Sequence, residues 1–153
     1  MDPDPEPIFL FLTSINFLIA INFIVLIALL ASSALISGTE VAFFSLSQTD
    51  LNELSNDGKE ENIIVKLLER PRKLLAAILI TNNFINILIV LIFASIADTI
   101  FGDFNYELNL HYFLVPVRFL IEVILVTFLI LLFGEVLPKV YASRNALPFS
   151  KKM

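Results

Sequence analysis

From Ile8 to Leu46 the chain runs for 39 residues with one charged side chain, Glu40. Coiled as a helix, that stretch would measure roughly 58 Å against a hydrocarbon slab of about 30 Å. One straight span does not use it all. Two spans would need about 20 residues each, plus a turn whose backbone groups are satisfied away from lipid. The economical solution is one crossing with a break inside it, and Ser37-Gly38-Thr39, just ahead of Glu40, offers the place. A carboxylate at such a break is expected to face a protein-lined or wet cavity. The plainer alternative is a Glu40 solvated near the inner interface.

Hydrophobic residues fill 58% of the 153 positions, and with runs this long the chain reads as an integral membrane protein. It has no cysteine, which removes disulfides and thiolate metal sites from consideration. A net charge of -5 argues against nucleic acid as a partner. The lead MDPDPEP is acidic and proline-rich without a basic region, unlike a cleaved signal peptide and compatible with an outside N-terminus.

The predicted fold is all-α, with three transmembrane helices over about 9–46 (broken), 74–97 and 113–137. A helical hairpin over 48–73 lies at the membrane surface, where Asn56-Asp57-Gly58 marks the turn and Asn62 to Glu69 an amphipathic helix. Thr13, Ser14, Asn16 and Asn22 read as helix-packing residues, and so do Ser32, Ser33 and Ser37 with Gly38. In the second span Asn82 and Asn86 sit one turn apart on one face, and Asn83 reads as an interhelical clamp. The 98–112 segment reads as a polar loop whose His111 is solvent-exposed decoration. In the third span Arg118 and Glu122, at i and i+4, form a structural ion pair while Arg118 snorkels outward.

Five basic residues fall in the 48–73 segment and four after Leu137, with none in the lead or in 98–112. Three crossings therefore put nine of ten basic residues on one side, with the N-terminus outside and the C-terminus cytoplasmic.

Depth brings the polar positions together. Measured inward from the cytosolic edge, Ser37 lies about 16 Å deep, Glu40 about 12 Å, Asn82 about 14 Å and Asn86 about 20 Å. Gly134 and Glu135 lie at about 7 Å and 6 Å. Pro138 cannot donate to the carbonyl of Gly134, four residues back, which frees that oxygen. Hydroxyls (Ser37, Thr39), carboxylates (Glu40, Glu135), amide oxygens (Asn82, Asn86) and the Gly134 carbonyl make a hard-cation set suited to Mg²⁺, Ca²⁺ or Na⁺, not zinc or copper. Broken helices at membrane depth are how transporters commonly expose such oxygens.

Three motifs then resemble a known family. Ser37-Gly38-Thr39-Glu40-Val41-Ala42 resembles SGxETA, Thr81-Asn82-Asn83-Phe84-Ile85-Asn86 resembles GNxxxN, and Phe133-Gly134-Glu135-Val136-Leu137-Pro138-Lys139 resembles FGEIxPK of the CorB/CorC and cyclin M (CNNM) family. Order and spacing match, and the resemblance covers roughly Ile15 to Leu147. It implies a transmembrane domain over 1–147 with a tail at 148–153, in a homodimeric Mg²⁺ transporter or exporter of the bacterial inner membrane, coupled to Na⁺ in one version. It further implies Ser37, Asn82 and the Gly134 carbonyl as metal ligands, with Glu40, Asn86, Glu135, Ser33, Thr39 and Pro138 around them in an inward-facing cavity. Family members carry CBS-type regulatory domains after this module. Thr81 stands where the family has glycine, adding bulk beside Asn82.

The acidic lead and Phe-rich helices also resemble a gliding-motility-associated bacterial branch. That implies the rival reading, a non-transporting scaffold in a cell-envelope assembly whose polar residues only fasten helices and a dimer. An intramembrane hydrolase is a distant third, since the chain has no HExxH and its single histidine sits in a loop. The expectation is that the chain is not an enzyme.

Overall fold

The computed structural model describes residues 7–56, 61–102, 107–110 and 113–151. His111, Asp57 and Gly58, and the lead up to Glu6, lie outside them, and with those residues the expected turn at 56–58 and the exposed histidine. Three long helical rods dominate. Helix α1 spans Pro7–Phe44, α4 spans Pro71–Phe101, and the third rod is α5 (Val117–Leu129), a π-helical segment (Ile130–Val136) and α6 (Leu137–Arg144) in series. Between the first two lie α2 (Gln48–Asn56) and α3 (Glu61–Leu68), and the short α7 (Ala146–Ser150) follows the third. The three rods are each long and apolar enough to cross a membrane, over Phe17–Phe44, Pro71–Phe101 and Val117–Arg144.

The predicted break in the first span does not occur: α1 is continuous for 38 residues through Ser37-Gly38-Thr39. Its hydroxyls show why. Thr39 donates to the Leu35 carbonyl at 2.7 Å and Ser32 to the Ala28 carbonyl at 2.8 Å, so these polar side chains bond back onto their own helix without opening it. A rod of about 57 Å exceeds the hydrocarbon thickness and is accommodated by tilt or by projecting beyond it. The irregularity sits in the third rod instead. There Pro138 withholds an N–H, and the turn before it widens to the π form.

The third span also starts later than predicted. Phe113–Pro116 is a strand paired antiparallel with Glu107–Leu110, in the register Glu107↔Pro116 through Leu110↔Phe113. This two-stranded hairpin (β1 and β2) holds the only strands among the described residues. The second span is longer than predicted at both ends.

Two apolar clusters hold the rods. Leu26, Ile89, Ile96, Val126 and Ile130 are buried together toward the hairpin end, with Leu29, Leu30, Ile85, Ile92 and Phe93 against them. Phe43 and Ile64 form the other cluster with Leu46, Leu51, Val65, Leu68, Leu74 and Leu147, where α2 and α3 pack beneath the spans. Hydrocarbon is as apolar as these side chains, so close packing does the binding. Small residues permit it: Ala42 and Ala142 are wholly buried as α1 packs on α6. Gly38 belongs to the same set, because a Cβ there would lie 2.5 Å from the Phe149 ring of α7.

Candidate functional site

Along each rod, the polar positions lie between the two apolar clusters. On α1, Ser33, Ser37 and Glu40 follow one another at four and three residues, which is one helix face. Ser33 and Ser37 are fully buried and Asn82 of α4 nearly so. The Ser33 hydroxyl approaches Asn82 Oδ1 at 3.0 Å and Asn86 Oδ1 at 3.1 Å. It has one proton for two acceptors, so at any instant one amide oxygen is left without it. Asn86 in turn donates from Nδ2 to Glu135 Oε1 at 3.3 Å, which ties α4 to the third rod.

Gly134 enters through its missing side chain. A Cβ at that position would lie 2.9 Å from Ser33 Oγ, closer than real contacts of this kind, so glycine lets the π-helical backbone come against α1. The same segment carries Glu135 toward Asn86. In a π-helix each turn takes in an extra residue, and the carbonyls near Pro138 lose their usual donor.

Ser37 is the anomaly. Its hydroxyl oxygen is buried with no hydrogen-bond partner, although a serine on a helix can bond back to the carbonyl four residues earlier, as Ser32 does. Leaving such a group unsatisfied costs about 1–3 kcal/mol. At the end of the row away from the hairpin, Glu40 Oε2 lies 3.3 Å from Lys139 Nζ, both side chains partly exposed.

Thus Ser33, Asn82, Asn86, Glu135 and Gly134 come together, with Ser37 and Glu40 on the same face of α1. Pro138, half-buried, lies just past the π-helical segment of the third rod. Thr39 stands apart, its hydroxyl committed to the Leu35 carbonyl. Asn83 is exposed on the outer surface of α4 and does not clamp two helices within this chain. The clamp of that kind is Asn22, which donates to Ser95 Oγ at 3.4 Å. Arg118 pairs with Glu122 at 2.5 Å as its spacing predicts, and also with Asp98 and, at 3.5 Å, the Gly102 carbonyl. The Glu40–Lys139 contact was missed by sequence reasoning. The only signal in the sequence is that both residues lie near the same edge of the spans.

Chemically the site is an oxygen-rich row with two carboxylates, one of them paired to an ammonium. No group of three His, Cys, Asp or Glu side chains stands ready for a metal among the described residues. Any cation held here would rest on hydroxyl, amide and main-chain oxygens, which suits a hard ion.

Comparison with known proteins agrees with this architecture. Residues 24–153 match the CNNM family, described as the cyclin M transmembrane N-terminal domain. Over 115 residues the chain is 37% identical to a UPF0053 protein of Haemophilus influenzae, covering 74% of this chain and 24% of that protein. Over 112 residues it is 30% identical to the UPF0053 inner membrane protein YfjD of Escherichia coli, covering 72% and 23% respectively. The chain thus spans about a quarter of the length of these curated relatives. Three spanning helices, the ordered motifs and the match over 24–153 together show that this chain belongs to the CNNM family as its transmembrane domain.

Proposed function

We propose that this domain moves a divalent cation, Mg²⁺ by preference, across the bacterial inner membrane, with the N-terminus outside and the C-terminus in the cytoplasm. The ion rests on Ser37, Asn82 and the Gly134 carbonyl, with Asn86, Glu135, Ser33 and Glu40 around it. The observation that carries this reading is the buried, unpartnered Ser37 hydroxyl on the face that Ser33 shares with Asn82 and Asn86. A lone acceptor beside surplus amide oxygens suits a cation that replaces lost waters with several well-placed oxygens.

Access follows from the two ends of the row. Toward the hairpin, the cluster of Leu26, Ile89, Ile96, Val126 and Ile130 is apolar and buried. Toward the other end, Glu40 and Lys139 reach the surface. This supports a site open to the cytoplasm. The exposed Asn83 and the half-buried Asn86 line an open groove whose other walls, Ile87, Val90, Leu91 and Ile130, are apolar. An amide in that setting supports a second copy of the chain against α4, hence a homodimer.

One observation favours the rival scaffold. Ser33, Asn82, Asn86 and Glu135 already bond to one another and fasten three rods without an ion. Titrating the purified protein with Mg²⁺, Ca²⁺ and Na⁺ while following thermal unfolding separates the two, because a ligand of the folded state raises its stability with occupancy. Transport predicts a saturable Mg²⁺ shift that Ser37→Ala removes. A scaffold predicts no shift.

A further inference from the structure

We propose that Lys139 sets the valence of the cation the polar row accepts: its ammonium holds Glu40 as a built-in monovalent counter-ion, which a divalent cation must displace. The inference rests on the cation-transport reading above and adds a specificity-determining residue to it. Lys139 Nζ lies 3.3 Å from Glu40 Oε2, with the two side chains 37% and 24% exposed, so the pair stands at the mouth of the row and is free to part. Glu40 follows the buried Ser37 by three residues on α1, and Lys139 follows Glu135 by four on the third rod. The pair is therefore within about 6 Å, along either helix, of groups in the row.

The charges decide the argument. Glu40 and Glu135 each contribute one negative charge and Lys139 one positive, so the row as it stands carries a net charge of -1. That balances a monovalent ion. A divalent ion added to the intact set would leave a surplus positive charge in a poorly hydrated site, which is unfavourable. When Lys139 swings away, the row carries two negative charges and neutralises a divalent ion. Lysine suits the part, being a compact charge on a flexible four-carbon stem with no fixed bidentate geometry to break. The unpartnered Ser37 hydroxyl lies between the pair and the Asn82–Asn86 amides, where such an ion would sit.

The test is a set of Mg²⁺ and Na⁺ titrations followed by thermal unfolding of the purified full chain. It compares the wild type with Lys139→Gln, Lys139→Arg, Glu40→Gln, the Glu40→Gln/Lys139→Gln double variant and Ser37→Ala. Charge accounting predicts that Lys139→Gln binds Mg²⁺ about tenfold more tightly, an effect of the size expected from one unit charge at close range. Glu40→Gln binds about tenfold more weakly. The double variant returns toward the wild type, and Lys139→Arg stays near it. Lys139→Met replaces Lys139→Gln if the latter does not fold.

A bridge that merely held α1 to α6 would give a different pattern, with both single variants less stable and neither tightening Mg²⁺. That result overturns the proposal. If Ser37→Ala abolishes the Mg²⁺ response while Lys139→Gln leaves its midpoint unmoved, the transport reading stands and the role of Lys139 falls. If the wild type shows no Mg²⁺ response at all, both fall together.

Discussion

The Ser33 hydroxyl lies 3.0 Å from Asn82 Oδ1, joining two spanning helices through residues 49 positions apart in sequence. Ser33→Ala removes the donor that Asn82 and Asn86 share, and leaves two amide oxygens in a dry interior. Hydrogen bonds between membrane helices contribute modestly, so the expected loss is about 1–2 kcal/mol. Unfolding in mixed micelles of rising denaturing detergent, with and without Mg²⁺, measures it. An unchanged midpoint would show that the contact does not hold the rods together.

Ser37→Ala should behave in the opposite way. Ser37 has no partner to lose, so in ion-free buffer the variant is expected to be as stable as the wild type or up to about 1 kcal/mol more stable. The Mg²⁺-dependent gain should vanish. A large loss of stability without ions would mean that the hydroxyl is bonded in solution, and would remove the main support for the cation reading.

Gly134→Ala tests the close approach of the third rod. The added Cβ would stand 2.9 Å from Ser33 Oγ, forcing the hydroxyl off the amides at an overpacking cost of about 1–3 kcal/mol. Alanine's better helix propensity returns less than about 1 kcal/mol. In the Ser33→Ala/Gly134→Ala double variant the clash is relieved, so the two losses should sum to more than the measured total. Additive losses would place the cost of Gly134→Ala elsewhere.

Much of this arrangement was legible in the sequence. Long apolar runs with few charges indicate three crossings, and depth along ideal helices puts Asn82 and Asn86 near the level of Ser37. It leaves Glu135 about 10 Å too shallow to meet Asn86, although the two bond, because the third rod continues as helix to Arg144, beyond the edge drawn at Lys139. The break falls in another rod because small hydroxylated residues do not by themselves open a helix: α1 runs on past the unpartnered Ser37 as it does past Thr39, whose hydroxyl bonds to the Leu35 carbonyl. Pro138 was read as freeing a carbonyl, but a single missing N–H does not reveal that the preceding turn widens over seven residues. The hairpin was hidden because Phe113–Pro116 is as apolar as the helix that follows. The Glu40–Lys139 pair depends on the rotation of two rods about their own axes, which spacing along one chain does not determine.

Ser47 and Asp50 predict a pH effect confined to α2. Ser47 donates from its N–H at 2.8 Å and its hydroxyl at 2.6 Å to Asp50 Oδ2, and the Asp50 N–H returns a bond to Ser47 Oγ at 3.2 Å. This is a reciprocal N-terminal cap. The Ser47 hydroxyl, and after it the Ser47 N–H, hold the Asp50 carboxyl below the usual carboxylate range. A depressed folded-state pKa adds stability above the ordinary aspartate value of about 3.9, lost as pH falls through the lower folded value. The protection of the amides at the start of α2, measured as exchange relative to the unfolded rate at each pH, should therefore be high near neutrality and fall below that range. Asp50→Asn should abolish the pH dependence, and an unchanged profile would refute the cap.

Arg118 closes the hairpin end of the bundle. Its guanidinium bonds to Glu122 within α5, to Asp98 near the end of α4 and to the Gly102 carbonyl just past it, so one side chain ties two rods and caps a helix C-terminus. Glu122 is 17% exposed, and Arg118→Ala leaves its carboxylate poorly hydrated without its partner. Stability should fall, with Arg118→Lys recovering only part of the loss because one ammonium cannot reproduce the planar fork. In Arg118→Ala/Glu122→Gln the stranded charge is gone, and stability should rise above that of Arg118→Ala alone. Because this clasp lies beyond the apolar cluster from Ser37, the Mg²⁺ midpoint should not move in any of these variants. A shifted midpoint would show that the two ends of the bundle are coupled through the packed core between them.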